Sequence, residues 1–195
     1  MNQQDIAKIR KEVEKELDAK RYEHTLGVAY TAACLAMCHG EDPIRAEVAG
    51  LLHDCAKCFD NDKRIRICKK NKLTITESES RNPFLLHAKV GAFLAEDKYG
   101  VKDPEIKDAI LYHTTGRPRM SLLEKIIYIA DYIEPCRKQS PKLPEIRKIA
   151  FADLDRALLL ILSEILHYLN TTSEPIDPMT QLTYDYYMKE QKKTT

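Results

Sequence analysis

Isolated imidazoles and carboxylates stand at apolar positions in segments that otherwise read as buried helix, and this pattern limits the folds open to the chain. They are His24 in RYEHT, the neighbours His53 and Asp54 in LLHDCAK, His87 in LLHAKVGA, His113 in LYHTTG and Asp131 in IIYIADYIEP. Burying such a group without a partner costs on the order of 1–7 kcal/mol, depending on the reference state. An ionised carboxylate costs more still unless a cation or metal faces it. A fold that packs these segments has to compensate all six side chains, and a shared metal site is the simplest way to do so.

Helical punctuation recurs along the chain and strand punctuation does not. Asp42-Pro43 and Asp103-Pro104 each set an N-cap acid before a first-turn proline. Ser121 with Glu124 has capping-box spacing. Gly40, Gly100 and Gly116 each follow a helical pattern, as a C-terminal stop does. The expected architecture is all-α, a bundle of about eight or nine helices near 3–18, 21–38, 43–57, 61–71, 84–99, 104–115, 121–134, 145–169 and 179–192.

In the second helix Tyr22, Leu26, Ala29, Ala33 and Met37 form one stripe, and Val28, Ala32 and Leu35 cover an adjacent face. A helix apolar around most of its circumference belongs in the core. Only 138–144 and 171–178 have loop composition, so residues 1–195 are read as one domain, with a metal-site core at about 21–135 and C-terminal helices at about 145–192. Tyr184, Tyr186 and Tyr187 are read as packing on the long preceding helix, with a homodimer contact as the alternative.

A formal charge of +1, from 31 basic and 30 acidic residues, argues against a general nucleic-acid binder. The first segment is charged and amphipathic, without the pattern of a secretory signal. The longest apolar run, 157–162, is far short of the roughly 18 residues that span a bilayer. No membrane partner and a cytoplasmic location are expected. The six cysteines, at 34, 38, 55, 58, 68 and 136, are then read as free, structural, buried thiols. Cys55-Ala-Lys-Cys58 lacks the second such pair that a zinc site would use.

Mixed imidazole and carboxylate ligands without thiolate suit iron, manganese, zinc or cobalt at a hydrolytic centre. Consecutive helical residues diverge by about 100°, so His53 and Asp54 reach one ion only if it sits beside the helix, and Asp54 is then free to bridge to a second. In that arrangement His24 and Asp131 join the first ion, and His87 and His113 the second. Two ions about 3.5–4 Å apart suit in-line attack on phosphorus, so phosphoester or phosphoanhydride hydrolysis needs no Ser or Cys nucleophile. Lys57, one turn beyond the pair, Arg117 and Arg119 after His113, and Arg137 after Asp131 are candidate phosphate contacts. Thr114, Thr115 and Gly116 add hydroxyls and amides. The basic run 63–72 is read as an exposed helix face, His39 as a partner of a helix C-terminus, and His167 as no ligand.

The order His, His-Asp, Asp resembles the HD-domain metal-dependent phosphohydrolases, an all-helical superfamily. The stretch HTTGRPRMSLLEKIIYIADYIEPCR is similar to that of the bacterial HD-domain symmetrical bis(5′-nucleosyl)-tetraphosphatases, which hydrolyse diadenosine tetraphosphate to two ADP. The resemblance runs from about Arg21 through Ala152. It implies that His24, His53, Asp54 and Asp131 hold one iron while Asp54 bridges to a second held by His87 and His113, with manganese or another divalent metal as the alternative. Asp54 and Lys57 are the residues taken as catalytic, and Lys57, Arg117 and Arg137 would contact phosphate. The implied substrate is a dinucleoside polyphosphate, cleaved to ADP by metal-activated hydroxide. The alternatives are a 5′-nucleotidase or nucleoside triphosphate hydrolase of the same superfamily, or a nucleotide sensor that performs no chemistry.

Overall fold

Acids set the helix starts where the sequence places them, and Gly40 caps a helix end, while Gly100 and Gly116 fall beyond helices that stop at Asp97 and Leu111. Asp42 accepts from the Ile44 amide at 2.8 Å and Asp103 from the Glu105 amide at 2.9 Å, each just ahead of its proline. Ser121 and Glu124 close a capping box. Gly40, Gly100 and Gly116 take positive φ values of 82°, 69° and 64°, where a Cβ is strained.

The computed structural model describes residues 3–138, 140–171 and 177–194. Among them are eleven α-helices and no strand: α1 (Gln3–Glu16), α2 (Ala19–His39), α3 (Pro43–Leu52), α4 (Asn61–Lys70), α5 (Glu77–Arg81), α6 (Leu86–Asp97), α7 (Pro104–Leu111), α8 (Leu122–Ile133), α9 (Leu143–Ala150), α10 (Leu154–Thr171) and α11 (Pro178–Thr194). A 3₁₀ turn at Pro83–Leu85 leads into α6.

The fold is all-α, but eleven helices exceed the expected eight or nine for two local reasons. α5 is five residues long, too short to show an apolar period, and its start is marked only by the Thr76–Glu79 capping box. The span 145–169 is two helices, because α9 stops at Ala150 and Asp153 accepts from the Arg156 amide at 3.0 Å to start α10. His39 donates from Nε2 to the Ala150 carbonyl at 2.8 Å, so it does meet a helix C-terminus, that of α9. The spans 43–57 and 104–115 also end early, at Leu52 and Leu111, which leaves His53, Asp54 and His113 on turns rather than on helix. Of the two stretches with loop composition, Gln139 and 172–176 lie outside the described residues.

One apolar core runs from Ile6 on α1 to Tyr187 on α11. α8 lies at its centre, with Leu123, Ile126, Ile127, Ile129 and Ala130 fully buried, and α2, α3, α7 and α10 pack around it. α2 buries Val28, Ala29, Ala32 and Leu35, but Met37 is 66% exposed, so the helix is not apolar all round. Cys34 and Cys38 share that outer side and are exposed, as are Cys58 and Cys136; only Cys55 and Cys68 are the buried thiols that the sequence suggests for all six. Tyr187 packs inward and its hydroxyl accepts from the Met120 amide at 2.9 Å. No helix among the described residues is long and apolar enough to cross a membrane.

A smaller apolar cluster of Ala56, Cys68, Leu86 and Val90 joins α4 and α6 to the turn that follows α3. Arg64 from α4 completes that joint. It is buried, and it donates to the carbonyls of Ala56 at 3.4 Å and Lys57 at 2.7 Å. The basic run is therefore an exposed face with one arginine turned inward to hold the turn carrying His53 and Asp54.

Candidate metal centre

The early ends of α3 and α7 have a chemical consequence. The last carbonyls of a helix have no intrahelical partner, and two histidines fold back to use them. His53 Nδ1 lies 2.7 Å from the Gly50 carbonyl and His113 Nδ1 lies 2.7 Å from that of Ile110, each three residues earlier. His87 repeats the motif at the start of α6, with Nδ1 2.6 Å from the Phe84 carbonyl of the 3₁₀ turn. His24, inside α2, is held instead by Glu134, whose Oε1 is 3.0 Å from Nδ1.

A carbonyl or carboxylate oxygen only accepts, so Nδ1 carries the hydrogen in all four rings. In the neutral rings of His53 and His87 that leaves Nε2 with a bare lone pair. All four Nε2 atoms point to one place. Burial pulls the His53 imidazole down to about 4, and it lowers His87 well below the ordinary histidine value, with Lys57 adding to the effect. Both rings are neutral near pH 7.

Asp54 stands between two groups of these nitrogens. Its Oδ2 faces His53 Nε2 at 3.5 Å and His24 Nε2 at 4.0 Å, and Asp131 Oδ1 closes that group at 3.0 Å from His24 Nε2 and 3.8 Å from His53 Nε2. Its Oδ1 faces His87 and His113, whose Nε2 atoms are each 3.4 Å away and 3.3 Å from each other. Burial works to raise both carboxyls, but the charges and donors around them, Lys57 beside Asp54 and Arg137 beside Asp131 among them, outweigh it and hold both well below the usual carboxylate range.

This donor set fits divalent cations. His53 Nε2 and Asp54 Oδ1 are buried with no hydrogen-bond partner, a state that polar atoms avoid. His87 Nε2 and His113 Nε2 converge to 3.3 Å of each other. The sets His24, His53, Asp131 and His53, Asp54, His113 each present ligand atoms within 4.8 Å of one another, the spacing of atoms that share an ion bound at about 2.0–2.2 Å.

Three cations reach into the cluster. Arg137 Nη2 lies 2.6 Å from Asp131 Oδ1. Lys57 Nζ lies 2.9 Å from His87 Nε2 and 3.4 Å from Asp54 Oδ1. Arg21, one turn before His24, donates from Nη1 to Asp54 Oδ2 at 2.9 Å. The side chains of Asp131, Arg137 and Arg21 are 22%, 24% and 30% exposed, against none for His53 and His113, so the cluster opens to solvent on the Asp131 side.

The structure thus brings together His24, His53, Asp54, His87, His113, Asp131, Lys57 and Arg137. It does not bring Arg117 or Thr114. Arg117 is ion-paired to buried Glu124 at 2.7 Å and to Asp108 at 2.9 Å, with its guanidinium over the Tyr112 ring, so it is committed to the joint between α7 and α8. Thr114 lines a separate cavity of about 390 Å³ with Tyr112 and Leu85. Arg119 lines a cleft beside Tyr186.

Sequence reasoning misses Arg21, Glu134 and Arg147. Arg21 has the three-residue spacing to His24 as its only signal. Glu134 leaves an indirect one in Gly27, where a Cβ would lie 2.7 Å from Glu134 Oε2. Arg147 on α9 donates to the carbonyls of Ile133, Glu134 and Arg137 at 2.8, 2.7 and 3.1 Å, and so fixes the turn beyond α8. Nothing near it in sequence announces that role.

Residues 21–136 match the HD domain family. The chain is 43% identical over 174 residues to a protein of Bacillus subtilis (strain 168) named bis(5′-nucleosyl)-tetraphosphatase, symmetrical, a match covering 89% of this chain and 92% of the other. It is 41% identical over 180 residues to a protein of the same name from Halalkalibacterium halodurans, covering 92% and 95%. A crystal structure from Clostridium acetobutylicum, described as a predicted HD superfamily hydrolase involved in NAD metabolism, has a TM-score of 0.90 at 41% identity, covering 94% of this chain and 97% of that one.

Proposed function

The chain belongs to the HD-domain family, in the branch of the symmetrical bis(5′-nucleosyl)-tetraphosphatases, and from that premise we propose that it hydrolyses diadenosine tetraphosphate to two ADP. His24, His53, Asp54 and Asp131 would hold one divalent ion, and His87 and His113 would hold a second that shares Asp54. Iron is the first choice and manganese the alternative. Metals held there would supply a nucleophile from water at neutral pH and offset charge on the phosphoryl oxygens.

The observation that carries this reading is the division of Asp54, with Oδ2 toward His53 and His24 and Oδ1 toward His87 and His113. A carboxylate so divided, backed by four imidazoles whose Nδ1 atoms each meet an acceptor, suits a two-site centre better than a single ion.

The protein's own groups bind and orient the phosphates. Arg137 and Arg21 present planar forks that meet two phosphoryl oxygens at once, and they line the open side of the cluster, where a long polyphosphate can enter. Lys57, between Asp54 and His87, supplies a point charge deeper in. Arg117 and Thr114 have no share in this assignment, the first because Glu124 and Asp108 hold it and the second because it lines another cavity. The carbonyls behind three histidines and the Glu134 carboxylate behind His24 keep the Nε2 atoms aimed inward. Six free cysteines, four of them exposed, suit a reducing cytoplasm, and we read residues 1–195 as one domain.

The test is anaerobic hydrolysis of diadenosine tetraphosphate with Fe²⁺, Mn²⁺ or Mg²⁺ supplied in turn, and Asp54→Ala run beside the wild type. ADP as sole product, lost in the variant by more than the roughly 10–100-fold expected for an outer-shell change, supports the proposal. AMP with ATP would refute symmetrical cleavage. Turnover of mononucleotides alone would turn the reading to a nucleotidase, and no product under any metal to a sensor.

A further inference from the structure

We infer that the cavity of about 770 Å³ on the open side of the cluster is a nucleoside subsite, taking the base and ribose of one ADP half of the substrate. The inference rests on the hydrolase reading above and adds the side chains that recognise the nucleoside. The cavity wall begins at Asp131 and Arg137 and continues through Tyr132 to Glu164, Ile165 and Tyr168 on α10. Arg137 Nη2 is 2.6 Å from Asp131 Oδ1 and 3.5 Å from His24 Nε2. The phosphate-facing arginine and the cavity therefore share a wall, and a diphosphate held by Arg137 has this space beside it. The cavities beside Arg119 and beside Thr114, about 500 and 390 Å³, have no cluster residue in their walls.

Size and chemistry agree with the assignment. Small-molecule sites occupy about 300–1,000 Å³ and combine apolar walls with a few fixed polar groups. Tyr132, Ile165 and Tyr168 supply the apolar faces, and Tyr168 holds a ring that is 66% exposed at the cavity edge. Glu164 is fixed by Ser140 Oγ and Lys142 Nζ, each at 2.8 Å. A carboxylate has about four acceptor sites, so Glu164 keeps capacity for a ribose hydroxyl. Stacking on Tyr168 would give a nucleotide an advantage over bare phosphate that truncation of the ring removes.

The experiment measures the affinities of ADP and of inorganic pyrophosphate by titration calorimetry on the full-length, Mn²⁺-loaded protein, for the wild type, Tyr168→Ala and Tyr168→Phe. The wild type should favour ADP at least tenfold, Tyr168→Ala should lose about tenfold in the ratio of ADP to pyrophosphate affinity, and Tyr168→Phe should restore it. Tyr168 is surface-exposed, so both variants should fold. An unchanged ratio in Tyr168→Ala, no preference for ADP in the wild type, or no ADP binding at all would overturn the subsite. Failure of the hydrolase reading is separate: intact diadenosine tetraphosphate, with Tyr168-dependent ADP binding retained, removes the reaction and leaves the subsite standing.

Discussion

Glu134 shows how much of a site can rest on a residue that touches only the back of a ligand. Its Oε1 fixes His24 Nδ1 at 3.0 Å, and its Oε2 accepts from the Cys136 amide at 2.6 Å. Removing such an outer partner from a metal ligand typically costs 10–100-fold in metal affinity or activity. Glu134→Ala should therefore weaken metal binding by about that factor, read by direct metal titration; unchanged affinity would mean that His24 needs no orienting acceptor. The cysteines give a second test at this scale. Burial pushes the Cys55 thiol up to about 12, and the thiolate is the reactive form. A thiol reagent should label Cys34, Cys38 and Cys58 quickly in native protein, Cys136 more slowly because the charge of Glu134 raises its thiol, and Cys55 and Cys68 only on unfolding. Fast labelling of Cys55 and Cys68 would contradict the packing of α4 and of the turn after α3 against α6.

Between elements, α3 crosses α2 with Gly50 against the backbone of Ala29. A Cβ on Gly50 would sit 2.6 Å from Ala29 Cα and 3.0 Å from Ala29 N, both backbone atoms that cannot move without shifting a helix. Alanine gains up to about 1 kcal/mol of helix propensity over glycine, but overpacking costs about 1–3 kcal/mol, so the packing term should win. Gly50→Ala should lower the melting temperature by a few degrees, at roughly 2–4 °C per kcal/mol for a chain of this size. An unchanged or higher value would show that the two helices separate freely. The same residue offers its carbonyl to His53, so the tight crossing also sets the depth of the cluster. Helix starts were legible where an acid or a proline marks them. The stops at Leu52 and Leu111 were not, because beyond each the chain turns so that His53 and His113 meet the carbonyls three residues earlier, and Arg64 holds the first turn at Ala56 and Lys57.

At the scale of the whole molecule, Arg45 ties the start of α3 to the start of α7. It pairs with Glu41 and Asp103, each at 2.9 Å, and with Glu105. Burial works to raise the Asp103 carboxyl, but the hydrogen bond and charge of Arg45, with the amides of α7, outweigh it and hold the group below its ordinary value. A carboxyl depressed in the folded state stabilises fully above its unfolded value, about pH 4, and that contribution is lost as pH falls through the lower folded value. Asp103→Asn should melt below the wild type at pH 7, and the gap should close in acid below about pH 4. A gap independent of pH would show that the charge of Asp103 does not carry the effect, since Asn caps a helix about as well as Asp.

Helix content, most caps and the six ligand-type residues were readable from order and spacing, because capping and apolar period are local properties of the chain. The Glu134 acceptor behind His24, the hold of Arg21 on Asp54 and the commitment of Arg117 to Glu124 were not. They depend on pairings such as Arg21 with Asp54 and His24 with Glu134, which lie 33 and 110 residues apart. A local rule can mark a buried histidine as needing a partner, but the identity of the partner exists only once the helices have packed.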